Sequence, residues 1–174
     1  HMFERSGDSI INLNIEEVVL NKKPIDASFI REWDELLNRV DSSCMFFSYW
    51  FLTSWHQLFS SDSELVNFAI RKNNRLVGMI PLIKDGSGLT LAGDPELFDY
   101  QQLIIEKDME SEVINTFFDY LSQKDWKVLE LPSVASDLQK NVLMEIADQR
   151  GYSIKAEQVS VCPVLDLPDS WDVY

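Results

Sequence analysis

The feature that most constrains the fold is a pair of apolar segments joined by two asparagines. The segments are ELVNFAIRK, residues 64–72, and RLVGMIPLI, residues 75–83, with Asn73-Asn74 between them. Asparagine tolerates positive φ, which the favoured two-residue hairpin turn needs, so we predict an antiparallel hairpin. Both faces of this hairpin are apolar, and such a hairpin belongs inside a sheet that is covered on both sides.

The turn also predicts the register of the hairpin. With Lys72 opposite Arg75, the expected partners further along are Ile70 with Val77, Phe68 with Met79, and Val66 with Pro81. Proline cannot donate a hydrogen bond to a ladder, so we expect the pairing to break or splay at Pro81.

Periodicity in the rest of the chain predicts four helices and further strands. Apolar residues recur at helical spacing after Pro24, from about Ser48, over residues 109–122, and after Ser136. The predicted strands are INLNIEEVVL, LTLAG, QQLII, WKVLEL, YSIKAEQVSV and PVLDL. The expected fold class is therefore α/β (α+β), as one domain with a mixed, centrally antiparallel sheet and helices on both faces.

Several helix ends have recognisable signals. Asp26 or Ser28 can cap the first helix, and Ser48 the second. Ser136-x-x-Gln139 has the pattern of a capping box, and Gly151 is the expected C-terminal stop of the last helix.

Composition excludes some classes of function. The chain has 174 residues and a formal net charge of −14, so its surface repels a phosphate backbone and we expect no direct nucleic-acid binding. No apolar run approaches the length of a membrane span. Cys44 and Cys162 form no CxxC motif, which favours a reducing, cytoplasmic setting. His1-Met2 is interpreted as a tag remnant.

The sequence contains few groups for catalysis, and we predict no catalytic residue and no metal site. Apart from the tag, His56 is the only histidine, and no nucleophile elbow accompanies it. We expect it to be a partly exposed helical histidine. One histidine and two isolated cysteines leave a zinc site without ligands.

Two groups of side chains are candidates for ligand binding. The stretch LAGDPELFDYQQLII, residues 91–105, places Asp94, Glu96 and Asp99 in one loop. These acids are either a solvated turn or a pair able to share a proton or bind a cation. Tyr49, Trp50 and Trp55 form either part of the core or the lining of a pocket.

Several segments taken together resemble one protein family. They are the helix with Trp33, the aromatic helix with Trp50 and Trp55, and then RLVGMIPL, LAG, DYQQLI, VLELPSVAS and PVLDLPDSW in this order. From about Asp26 onward, the chain resembles the N-terminal half of GNAT-superfamily acyltransferases of the Fem-like and CelD-like group, which is associated with cellulose or exopolysaccharide biosynthesis.

The resemblance implies two tandem GNAT-like halves and transfer of an acyl or aminoacyl group to an amine. Residues 3–168 would form the N-terminal domain, and residues 169–174 would begin a linker helix to a C-terminal half, which is the expected partner. Acyl-CoA or aminoacyl-tRNA would serve the full-length protein, and a small molecule or an envelope precursor would be the acceptor. The suggested substrate-binding residues are Asp99, Tyr100, Gln101 and Trp50.

One departure from the family pattern concerns the cofactor. The acyl-CoA loop, [QR]-x-x-G-x-[GA], is absent, and EKDMESEV stands in its place at residues 106–113. Its acids would repel a pyrophosphate, so we expect this half to hold no cofactor and to be inactive alone. Two alternatives remain open: a stand-alone binding or scaffold module, and a self-contained acyltransferase with a degenerate cofactor loop.

Overall fold

A computed structural model of the chain describes residues 13–40, 44–94, 98 and 101–158. The helices are α1 (Ala27–Arg39), α2 (Tyr49–Phe59), α3 (Glu110–Leu121) and α4 (Asp137–Gln149), with a short 3-10 helix at Cys44–Phe47. The strands are β1 (Leu13–Val19), β2 (Glu64–Lys72), β3 (Arg75–Asp85), β4 (Gly88–Leu91), β5 (Ile104–Ile105) and β6 (Val128–Glu130).

The strands form one mixed sheet. Its order is β1-β2-β3-β4-β6, and β5 pairs with β3 beyond the end of β4. The pairs β1–β2, β2–β3, β3–β4 and β3–β5 are antiparallel, whereas β4 and β6 are parallel. The predicted mixed, centrally antiparallel sheet is confirmed.

Helices cover both faces of this sheet, as predicted. On one face, α3 and α4 contribute Val113, Phe117 and Ile146 to a core that includes Phe68 and Ile80. On the other face lies a second core formed with α1 and α2, whose buried members include Trp33, Phe47, Leu52, Leu65 and Met79. The central hairpin is therefore buried on both sides because its side chains alternate between two apolar layers.

The hairpin turn forms as predicted, but the register changes one residue later. Asn73 and Asn74 have φ of 49° and 65°, and Lys72 pairs with Arg75. A β-bulge then places Gly78, and not Val77, opposite Ile70. One extra residue in β3 shifts all later pairs by one position.

The predicted partners beyond the bulge are therefore wrong. Phe68 pairs with Ile80 and Val66 with Leu82, so Met79 lies on the α1/α2 face and Ile80 on the α3/α4 face. Gly78 permits this arrangement because a Cβ atom there would lie 2.7 Å from Cγ1 of Val113. The close approach of α3 to the sheet thus depends on a missing side chain.

The helix ends agree with most of the sequence signals. The Asp26 carboxylate accepts a hydrogen bond from Ser28 N at 2.8 Å, which holds the pKa of Asp26 below its ordinary value. The Ser48 hydroxyl accepts from Phe51 N at 3.3 Å. At the end of α4, Gly151 has φ of +77°, and the next residue, Tyr152, donates to Ala147 O, which makes a Schellman motif.

Some strand predictions were too long. Of the predicted strand over residues 101–105, only Ile104–Ile105 pairs, and WKVLEL contributes only Val128–Glu130. Residues 152–158 were predicted to begin a strand and form none. The predicted strand PVLDL, the tag remnant and the linker segment 169–174 lie outside the described residues. Within the described part of the chain, no helix combines the length and apolar character needed to cross a membrane.

Candidate functional site

The sheet contains a break between β4 and β5, and this break is the candidate site. Both strands pair with β3, but Leu91 lies opposite Leu82 whereas Ile104 lies opposite Met79. The chain therefore leaves the sheet after Leu91 and rejoins it at Ile104; we call this connection the excursion, and its described residues are 92–94, 98 and 101–103.

Pro81 explains where the excursion begins. Pro81 pairs with Asn67 of β2, so the expected break in the hairpin itself does not occur. On its other side, Pro81 O accepts a hydrogen bond from Ala92 N at 2.8 Å, but the proline nitrogen cannot return one. The carbonyl of Ala92 consequently loses the donor that a continuing ladder would supply, and pairing with β4 ends there.

Gln101 occupies the position next to this carbonyl. Its side-chain Nε2 lies 3.4 Å from Ala92 O, and the residue is 1% exposed. The chain can turn here because Gly93 has φ of +124°, a value that disfavours any side chain. A Cβ atom on Gly93 would lie 2.3 Å from Nε2 of Gln101 and 2.8 Å from Cδ2 of Phe98. The break is thus filled by side chains of the excursion itself.

α4, on the face of the sheet opposite α2, contacts residues 101–103 at the C-terminal end of the excursion. Gln139, at the first turn of α4, places its amide against the backbone of Leu103, and Ala135 N donates to Gln101 O at 2.7 Å. Gln139 N donates to the Ser136 hydroxyl at 3.2 Å, so half of the predicted capping box forms. The other half, a hydrogen bond from Ser136 N to the Gln139 side chain, is absent because that side chain bonds to Leu103 instead.

Aromatic rings close the α2 side of the break. The ring of Phe98 packs against Phe46, Phe51 and Trp55 with centroid distances of 5.5, 5.4 and 5.6 Å. These contacts hold the middle of the excursion against α2.

Three buried polar atoms around the break have no hydrogen-bond partner among the described residues. They are Gln101 Oε1, Trp55 Nε1 and Asn67 Oδ1. The amide nitrogen of Asn67 contacts the sulfur of Met79 at 3.2 Å, which leaves its oxygen free. Each of these atoms can bind a water molecule or a neutral polar group, because unpaired buried polar atoms are unfavourable. None of the three side chains titrates near neutral pH, so they can position a group but not exchange a proton with it.

The structure describes two of the four predicted substrate-binding residues. Gln101 lies in the break, whereas Trp50 is on the surface of α2, 67% exposed, with its ring 4.9 Å from that of Tyr49. Asp99 and Tyr100 lie outside the described residues. The sequence analysis named Trp55 as a core or pocket residue and Gln139 only as part of a capping box, and it missed Asn67. Two signals pointed to an interruption here: Pro81 in the middle of an apolar hairpin, and the acidic loop predicted within residues 91–105.

The histidine is buried, contrary to the expectation of partial exposure. His56 is 2% exposed and its Nε2 lies 3.1 Å from the hydroxyl of Ser63. That hydroxyl donates to Ser60 O at 2.6 Å, so toward His56 it acts as the acceptor. Burial lowers the pKa of His56, which keeps the ring neutral. A serine whose proton points away from the imidazole is not an activated nucleophile.

The junction between β5 and α3 is where the resemblance would place the cofactor. Residues 106–109 form a turn in which Met109 N donates to Glu106 O at 3.1 Å, and Asp108 has φ of 64°. Residues 106–112 contain no glycine, so each amide has a side chain beside it. The start of α3 has no side-chain cap.

Charge at this junction disfavours a diphosphate. Glu110 and Glu112 occupy the first turn of α3, directly after Asp108. Arg39 and Arg75 both reach the junction, but they are paired with Glu106 at 3.3 and 2.8 Å. Carboxylates already complement the positive end of the helix, so these residues do not fit the phosphates of acyl-CoA. No transfer step through acyl-CoA is assigned to this chain. Among the described residues, no three or more His, Cys, Asp or Glu side chains come together as metal ligands would.

Comparisons with known proteins give structural neighbours only. No model of a protein family matches the chain, and no curated protein matches it. An aminoglycoside acetyltransferase from an uncultured soil metagenomic sample aligns with 12% identity and a TM-score of 0.46, covering 92% of this chain and 100% of its own.

Two further neighbours are also acetyltransferases. An aminoglycoside N-acetyltransferase in complex with CoA aligns with 8% identity and a TM-score of 0.45, covering 88% of this chain and 95% of its own. A ribosomal-protein-alanine N-acetyltransferase from Brucella melitensis biovar Abortus 2308 aligns with 14% identity and a TM-score of 0.42, covering 90% and 100%. Because these scores are below 0.5, the fold described above stands on the chain's own strand order and register.

Proposed function

We propose that this chain is the non-catalytic N-terminal domain of a two-domain GNAT/Fem-like acyltransferase. The whole protein would transfer an acyl or aminoacyl group to an amine, on a small molecule or an envelope precursor, in the cytoplasm. The proposal rests on the ordered sequence resemblance from about Asp26 onward, together with a sheet and helix arrangement of the class that the resemblance implies.

The β5–α3 junction is the single observation that carries the non-catalytic part of the proposal. An acyl-CoA site needs exposed amides and positive charge to receive a diphosphate. Here the first turn of α3 carries Glu110 and Glu112, and the arginines Arg39 and Arg75 are held by Glu106. The donor would therefore bind to the C-terminal half, and this domain would support that half and help to hold the acceptor.

Gln101 is the described residue best suited to such an acceptor-binding role. Its amide oxygen has no partner among the described residues, and its neighbour Ala92 O is only weakly engaged, at 3.4 Å. Trp50, Asp99 and Tyr100 are proposed to contribute from α2 and from the excursion.

Isothermal titration of acetyl-CoA into the chain tests the proposal. We expect no heat above dilution at concentrations up to about 1 mM, a range that would detect even weak binding. An acetyltransferase that binds CoA, titrated in the same buffer, serves as the positive control. Tight one-to-one binding would overturn the proposal and favour a self-contained acyltransferase.

A stand-alone binding or scaffold module is the second candidate. It is favoured by α2, whose eleven residues include no charged side chain and which exposes Trp50, Leu58 and Phe59. Sequencing the gene beyond the codon for Tyr174 separates the two. A nearby stop codon favours the module, and about 150 further residues with a second α/β pattern favour the two-domain enzyme.

A further inference from the structure

A shallow depression lies between the end of α2 and the turn that joins β3 to β4. Its volume is about 390 Å³, and it is lined by Leu58, Phe59, Ser60, Ser61, Asp62, Ser63 and Asp85. Along β3, Asp85 is eight residues from Val77, which is bonded to the β5–α3 junction, so the two places are separated by about 27 Å. An inference about the depression is therefore independent of the acetyl-CoA titration.

The depression carries two carboxylates, Asp62 and Asp85, that no described residue pairs with. The Asp62 and Asp85 side chains are exposed and form no ion pair or hydrogen bond with the described residues. Lys84 precedes Asp85 on β3, and because side chains alternate along a strand it faces away from α2. Among the described residues that line the depression there is no lysine or arginine.

The same depression also exposes apolar surface. Leu58 and Phe59, the last two residues of α2, are 76% and 67% exposed. Leu58 continues a helix surface without charged residues that extends back to Trp50, which is 67% exposed. Large apolar side chains gathered on a chain of net charge −14 are typical of an interaction surface.

We propose that this depression is the docking site for a basic, partly apolar peptide segment of a partner protein. A lysine or arginine side chain from the partner lays its methylene stem along Leu58 and Phe59 and brings its charged head to Asp62 and Asp85. The ring of Phe59 adds a cation–π surface, and the hydroxyl of Ser61 accepts a hydrogen bond from the head group.

Charge complementarity selects this occupant over two others. The two carboxylates repel an anionic membrane surface. A symmetric contact between two copies would place the same carboxylates against each other. A free amine would leave the uncharged face of α2 uncovered, whereas a peptide segment extends along it.

A nuclear magnetic resonance titration tests the proposal. The probe is the acetylated, amidated heptapeptide Lys-Leu-Lys-Leu-Lys-Leu-Lys, added to the ¹⁵N-labelled chain, with a companion peptide in which glutamate replaces every lysine. We expect saturable shifts confined to residues 58–63 and to Asp85 and its neighbours, and no response to the glutamate peptide.

Two double variants provide the matched comparison. Asp62→Asn with Asp85→Asn is expected to weaken binding about tenfold, as loss of two exposed charge pairs implies. Glu17→Gln with Asp108→Asn removes the same net charge from two other exposed carboxylates, which form no ion pair with the described residues. This control is expected to keep the affinity within about twofold, since charges remote from the site are screened.

Four results would overturn the proposal. They are the absence of saturable shifts, an equal loss of affinity in both double variants, a dimer in sedimentation that Leu58→Ser abolishes, and binding of the chain to phosphatidylserine vesicles. Leu58→Ser is suited to this purpose because the side chain is mostly in solvent and its replacement leaves the core intact.

Discussion

The side-chain amide of Gln139 makes with Leu103 the two hydrogen bonds that a neighbouring strand would otherwise make. Leu103 N donates to Oε1, and Nε2 donates to Leu103 O, each at 2.8 Å. Gln139 of α4 thereby satisfies the backbone N–H and C=O of Leu103, next to the break between β4 and β5. The bond pair links α4 to the excursion on the side of Leu103 that faces away from β3, where no described strand supplies hydrogen-bond partners.

Gln139→Leu is expected to lower the free energy of unfolding by about 2–4 kcal/mol, because it leaves a buried N–H and a buried C=O without partners. Urea denaturation measures the change. The control is Gln149→Leu on the same helix, where the exposed side chain bonds only to Glu145, and where we expect a change within about 0.5 kcal/mol. Equal effects of the two substitutions would contradict the assigned role of Gln139.

Asn67→Leu is expected to raise the free energy of unfolding by about 1 kcal/mol, since Asn67 is fully buried and its Oδ1 has no partner among the described residues. The matched control is Asn21→Leu. The Asn21 amide donates to Ser63 O and accepts from Leu65 N, so the same substitution should destabilise the chain there. If Asn67→Leu also destabilises, then a water molecule or another group occupies the site beside Oδ1. Thermal and urea unfolding decide between the two results.

Gly93→Ala is expected to destabilise the chain by about 2–4 kcal/mol, because the new Cβ would overlap Gln101 and Phe98 in a backbone conformation that disfavours side chains. Gly86 offers a matched control. It also has positive φ, +57°, but a Cβ atom there meets nothing within 4 Å. Gly86→Ala should therefore show only the backbone effect, about 1 kcal/mol. If urea denaturation gives Gly93→Ala and Gly86→Ala comparable losses in the free energy of unfolding, the overlap with Gln101 and Phe98 contributes little.

The stability of the chain is expected to depend on pH through His56. Burial lowers the pKa of His56 in the folded state, so the unfolded chain, with a pKa of about 6.5, binds the proton more readily. The contribution of neutral His56 to the free energy of unfolding is complete above pH of about 6.5 and is lost as the pH falls toward the pKa of the folded state. The free energy of unfolding then changes by at most about 1.4 kcal/mol per pH unit. Unfolding curves of the chain and of His56→Gln, measured from pH 5 to pH 7.5, isolate this contribution. Gln retains an N–H donor for Ser63 but does not titrate, and identical pH dependence in the two proteins would refute the role of burial.

Local sequence signals were sufficient for the turns and the helix ends. Asn73-Asn74 predicts its turn because both residues adopt positive φ readily, and Asp26 and Ser48 predict caps because a short polar side chain reaches the free amides of its own helix. These interactions join residues at most three positions apart, so the sequence contains all the information that they require.

Local sequence signals did not predict the register of the central hairpin beyond its turn. The turn alone implied Ile70 opposite Val77, but the close packing of Val113 on Gly78 accompanies a bulge that moves every later pair. The burial of His56 was likewise missed. Its partner Ser63 lies seven residues later, directly before β2, so the position of Ser63 depends on where β2 lies in the sheet.

The sequence by itself determined the class of the sheet, the central hairpin, the positions of the helices and the acidic character of the β5–α3 junction. These follow from periodicity, turn preference and charge, which act over a few residues. Only the tertiary structure decided the bulge, the break between β4 and β5, and the pairing of Gln139 with Leu103, thirty-six positions apart. The physical reason is that a buried hydrogen bond between distant residues depends on where packing places both groups, and no local preference specifies that position.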